Sequence, residues 1–94
     1  MAEITDAFVA GAKTGSAGRL QIKGDVIYSF GLHFPLGIRI KRKGIDFIVN
    51  SDRYSSSTAI HKKLLVESIR AQGKLYSEST TAAMQGIIEK GGLG

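Results

Sequence analysis

The chain has 94 residues, with thirteen Lys and Arg against eight Asp and Glu, for a formal charge of +5. A chain this short buries only about 60–65% of its unfolded surface, so it reads as one domain with one modest core. It contains no cysteine, which excludes disulfides and thiolate metal sites, and no uncharged run is apolar enough to span a membrane.

The opening segment MAEITDAFVAGAK has acids where a signal peptide needs basic residues, so the expected setting is soluble and cytoplasmic. Ile4, Phe8 and Ala12 recur four apart and predict a short helix. Thr14-Gly15 supplies its stop, and TGSAG reads as a mobile or tightly turned linker, giving an N-terminal part over residues 1–18.

Residues 19–55 change to strand patterning. RLQI is short and alternating, and Lys23-Gly24-Asp25 predicts a turn. DVIYSF is β-branched and aromatic, and residues 31–35 interrupt it with a proline that fits poorly inside a central ladder. GIRIKRKGIDFIVN predicts a hairpin turning at Lys43-Gly44. Centred there, Ile40 opposes Phe47 and Ile38 opposes Val49 on a buried face. Lys41 opposes Asp46 on a wet face that Arg39 shares.

The part over 56–94 is helical. A helix begins at Ser56 or Ser57 and runs to about Ala71, with Gly73 as its stop. KLYSES predicts a short last strand. Ser79 or Thr80 caps a final helix whose apolar stripe is Met84, Ile87 and Ile88, ending at Gly91. The expected fold is α+β: an antiparallel sheet of three to five strands with the helices packed on one face.

The stretch RYSSSTAIHKK holds the densest chemistry. With Ile60 at zero, Leu64, Leu65 and Ile69 fall at about 40°, 140° and 180°, which places His61 and Ser68 inside the apolar arc. His61 therefore points at the sheet, and Ser56 to Thr58 serve as helix caps. Two other readings compete with this one. First-turn N–H groups with Ser and Thr hydroxyls could hold an anion, with Arg53, Lys62 and Lys63 nearby. A catalytic set of Ser55, Ser56 or Ser57 with His61 needs an orienting acid, Asp46 or Asp52, and an oxyanion hole that no motif supplies. His33 and His61 form no metal-binding spacing. GAKTGSAGR has P-loop residue types in the wrong order and after a helix. No catalytic activity, metal or cofactor is expected.

The basic set is the stronger candidate. Arg39, Lys41, Arg42 and Lys43 share one hairpin, Arg53, Lys62 and Lys63 lie nearby in sequence, and Tyr28, Phe30 and Phe34 lie near strands of the same sheet. Basic side chains beside aromatic platforms are one way folds hold single-stranded nucleic acid. This predicts a nucleic-acid-binding accessory protein. The alternative is a protein-interaction module, such as an inhibitor of a host factor or a virion component, and a homodimer burying part of the sheet face is compatible with either.

IYSFG (27–31), IDFIVNSDRYS (45–55) and SSTAIH (56–61), in this order, resemble a family of small uncharacterised domains of phages, archaeal viruses and plasmids. Tyr28, Ser29, Gly31, Asn50, Tyr54, Ser55, Thr58 and His61 occupy its motif positions. LHFPLGIRI is longer than the family's link, and Lys62 stands where a Gln is common. The resemblance implies a mobile-element origin and assigns no mechanism. It also suggests a polar site of Tyr28, Tyr54, Ser56, Thr58 and His61, meeting where the helix starts.

Overall fold

The structure, a computed structural model, describes residues 2–30, 34–42, 44–52 and 56–90, with the backbone alone for residues 2, 41 and 42. The elements in chain order are α1 (Ala2–Ala10), β1 (Thr14–Ala17), β2 (Leu20–Lys23), β3 (Val26–Ser29), β4 (Phe34–Arg42), β5 (Ile45–Asn50), α2 (Ser56–Ala71), β6 (Tyr76–Ser79) and α3 (Thr81–Glu89). Among the described residues the strands form one six-stranded sheet in sequence order, so the expected three to five strands were too few. β1 to β5 are an antiparallel meander, and α2 then carries the chain to β6, which pairs with β5 in parallel.

The helices cover both faces, not one. α1 and α2 pack on the first face, over Leu20, Ile22, Ile27, Leu36, Phe47 and Val49. α3 packs on the second, where Met84 meets Val26, Ile38, Ile40 and Ile48. β4 and β5 carry buried apolar residues on both sides, Leu36, Phe47 and Val49 on one and Ile38, Ile40 and Ile48 on the other, so both of their faces need cover. The amphipathic stripe of Met84, Ile87 and Ile88 was legible in the sequence, but the face it would cover was not.

TGSAG is not a mobile linker. Its first four residues form β1, an edge strand paired with β2 from Thr14 opposite Lys23 to Ala17 opposite Leu20. The helix before it stops at Ala10, ahead of the expected Thr14-Gly15. Pro35 is the second residue of β4, paired with Tyr28 of β3 but ahead of the β5 pairing that begins at Gly37, and the β3–β4 register shifts beside it between Ile27 and Tyr28. Such an irregularity accommodates a residue with no N–H to give to the ladder.

The hairpin register is also shifted. Ile38 opposes Ile48 and Arg39 opposes Phe47, because a bulge intervenes before Arg42 opposite Ile45. A one-residue slip exchanges the faces of a strand. Arg39 is thus on the α1 face, not on the wet face predicted for it.

α2 follows the predicted bounds. It ends in a left-handed cap at Gly73 (φ 71°), with Lys74 N–H donating to Ile69 O at 2.9 Å. α3 is capped by Thr80, whose hydroxyl accepts from Ala83 N–H. Its predicted stop at Gly91 lies outside the described residues.

Candidate functional site

Arg39 is committed to the interior. Its side chain is 14% exposed and lies against α1. Nη2 donates to Phe8 O at 2.5 Å and Ala12 O at 2.8 Å, and Nη1 to Gly24 O and to Asp25 Oδ1 at 3.0 Å. The guanidinium also stacks 4.5 Å above the Phe8 ring. Phe8 O, near the end of α1, also accepts from Gly11 N–H at 3.1 Å, so Arg39 adds a second donor there and ties the segment after the helix to the sheet through Ala12 O. Asp25 completes the cluster by pairing with Lys13 as well. Hydrogen bonds from Lys13, and then from Arg39, hold its carboxyl below the usual carboxylate range, against the opposing effect of burial.

Lys41 and Arg42 belong to β4, but their side chains are not described, and Lys43 and Arg53 lie outside the described residues. Lys62 and Lys63 stand on the outward side of α2. Lys62 donates to Glu78 at 3.3 Å, and Lys63 is exposed. With Ala59, Val66, Glu67 and Arg70 they line a shallow groove of about 440 Å³ along the helix. Arg70 was missed as a site residue, although its position one turn from Glu67 and two turns from Lys63 places it in the same stripe. The C-terminal end of α2 also lies at the hairpin end of the sheet, because Leu75 pairs through backbone and side chain with Asp46.

The proposed aromatic platform does not assemble. Phe34 is buried in the core under α1 and α2, Phe30 lies beneath Arg19, and Tyr28 packs on the α3 face. Burial raises the Tyr28 phenol above its ordinary value.

The polar set separates in the same way. Tyr28 and Ser29 are adjacent in β3 and so point to opposite faces. Ser29, not Tyr28, reaches His61: its hydroxyl shares a 2.9 Å hydrogen bond with Nδ1. Both are buried, with His61 3% exposed. Burial first, and then the nearby Arg19 charge, lower the imidazole's pKa and hold the ring neutral. His61 thus faces the sheet as expected, and the Ser29 hydroxyl is its partner there. Ser56 is exposed, Thr58 is buried, and Tyr54 lies outside the described residues.

The acids suggested as orienting groups are engaged elsewhere. Asp46 accepts from Leu75 N–H and Asp52 from Thr81 N–H. The Thr81 hydrogen bonds hold the Asp52 carboxyl below its ordinary value. Fully buried Asn50 completes this joint, donating to Pro35 O at 2.7 Å and Thr81 Oγ1 at 2.9 Å while its Oδ1 accepts from Asp52 N–H. Asn50 and Asp52 therefore pin the start of α3 to the end of β5. A cleft of about 140 Å³ opens beside them, with Thr58, Ala59 and Lys62 on its far wall. Comparison with family models, curated proteins and solved structures finds no match.

Proposed function

We propose that this domain is a nucleic-acid-binding accessory protein of a virus or plasmid, acting in the host cytoplasm, with the outer face of α2 as its contact surface. One observation carries the reading. Lys62, Lys63 and Arg70 border one groove on a chain of net charge +5. Cations in a row along a helix meet successive phosphates and release their counterions, and such contacts position a backbone without reading bases. The mobile-element origin is supported by the motif resemblance.

The test is fluorescence anisotropy against labelled single-stranded DNA, duplex DNA and RNA at roughly 50 and 200 mM salt. Affinity should fall log-linearly with salt, with a slope magnitude of about 2–3 for three phosphate contacts. Lys63→Glu with Arg70→Glu should weaken binding at least tenfold, by roughly 1 kcal/mol per charge. Absence of binding at the lower salt, or an unaffected double variant, would sink the reading. A second reading, a protein-interaction module, is favoured by the open sheet edge at β1.

A further inference from the structure

We propose that the first two turns of α2, Ser56 to Lys62, form an acid-released latch: protonation of His61 frees them from the sheet while the rest of the helix stays seated.

The helix is anchored unevenly along its length. Its later turns are held by Leu65, Ser68 and Ile69, all buried. They are also tied to α1, through the 2.7 Å bond between Thr5 Oγ1 and Ser68 Oγ and through Gln72 Nε2, which donates to Asp6 O at 3.0 Å. Over the first two turns the buried side chains are Thr58 and His61 alone, and Ile60 between them is exposed. On one flank of these turns Thr58, Ala59 and Lys62 border the cleft of about 140 Å³ beside Asn50. Across that flank Lys62 reaches Glu78, an ion pair of two partly exposed groups and so a weak one. A segment opens at the cost of its own contacts, and here those contacts are few.

His61 is the main fastening. The 2.9 Å bond between its Nδ1 and Ser29 Oγ joins α2 to β3. The Ser29 hydroxyl can donate to a neutral ring or accept from a protonated one, so this bond is possible in either state. The buried charge is what the site cannot hold. β4 and β5 present Leu36, Phe47 and Val49 to the helices, all apolar. The Arg19 guanidinium, ahead of β2, repels a protonated ring. Arg39 of β4 is bound to α1 and Asp25. Lys62, Lys63 and Glu67 of α2 itself turn away from the sheet, to the groove on its outer side. The acids of the packed elements are engaged elsewhere, Asp6 with Ser68, Asp52 with Thr81 and Glu78 with Lys62. Among the described residues a protonated His61 therefore meets no carboxylate, and swinging its two turns into water is the way to hydrate it. Release also dismantles one end of the groove on α2, because Ala59 and Lys62 lie on the latch. Only that consequence rests on the nucleic-acid reading.

The test is amide exchange of the ¹⁵N-labelled full chain, without nucleic acid, followed by NMR at about pH 7.5 and about pH 5.5 in zero to dilute urea. The informative amides are Ile60 to Lys63, which bond back to the carbonyls of Ser56 to Ala59. Their protection, relative to the unfolded chain at the same pH, should lie below that of Ser68, Ile69 and the sheet. It should be insensitive to dilute urea, as for a small opening, and fall at least about threefold on acidification. His61→Gln cannot titrate and should remove that fall. The proposal is overturned if these amides exchange with the sheet and share its urea dependence, if acid leaves them unchanged, or if the fall persists in His61→Gln. A second readout needs no variant. In the parent chain the protonated His61 ring should lose its cross-peaks to Ser29, and a ring that titrates with those cross-peaks intact overturns the proposal. Both readouts omit nucleic acid, so failure of the latch and failure of the α2 reading are separate results.

Discussion

His61 and Arg39 show how a residue's role follows from its surroundings. His61 is held neutral by burial and by Arg19, so its pKa in the fold lies below the ordinary value of 6.5. Above that value the ring is neutral whether the chain is folded or not, and its full contribution to stability is present. As pH falls through it, the unfolded chain takes up a proton that the fold refuses, and stability declines until the folded pKa is passed. Urea titrations between pH 7.5 and 5 should show this loss, and His61→Gln should flatten it. The depressed carboxyls of Asp25 and Asp52 act in a lower window. Their contribution is present above 3.8 and lost as pH falls further. Arg39→Ala takes a donor from Ala12 O and from Gly24 O, leaves Phe8 O only its bond from Gly11 N–H, and should cost about 3 kcal/mol in chemical denaturation. Arg39→Lys should recover little of this, since an ammonium cannot replace a fork that grips three carbonyls and an acid together. Affinity for nucleic acid should be the same in Arg39→Ala as in the parent chain wherever both are folded.

At the scale of elements, α2 is seated by an absence. Gly37 lies under it, and a Cβ there would sit 2.6 Å from Leu65 Cδ2. Gly37→Ala should lift the helix and cost about 1–3 kcal/mol. A double-mutant cycle with Leu65→Ala should recover part of that cost, because the clash and the side chain vanish together. The bounds of α2 and α3 could be read from the chain because periodicity, caps and stops agree there. β1 could not, since Thr-Gly-Ser-Ala has low strand propensity and is ordered by the strand beside it. The bulge between Arg39 and Arg42 was also invisible, and it decides the most about the site. It brings Phe47 and Val49 of β5 to the same side of the sheet as Arg39, the side that α1 and α2 cover, instead of the side of Ile38 and Ile40. Ser29 stands among the motif positions but outside the expected polar site for a related reason. Nothing in IYSFG tells which of Tyr28 and Ser29 faces the helix until the sheet's two faces are assigned.

The whole molecule divides along its topology. The first five strands each pair with the next, whereas β6 reaches β5 only after the sixteen residues of α2. Closing a short turn costs less chain entropy than closing that crossover, so the meander has the means to assemble early. The parallel edge then arrives with α3 tied behind it. Tyr76→Ala, in β6, should therefore speed unfolding and leave the refolding rate nearly unchanged, whereas Ile27→Val in the meander should slow refolding. Stopped-flow chevrons separate the two cases, and slowed refolding of Tyr76→Ala would reverse the order. On this kinetic view the groove on α2 takes its place only after the meander is built. During synthesis the chain's N-terminal strands would be paired, and offer their surface, before the cationic helix comes to rest on them.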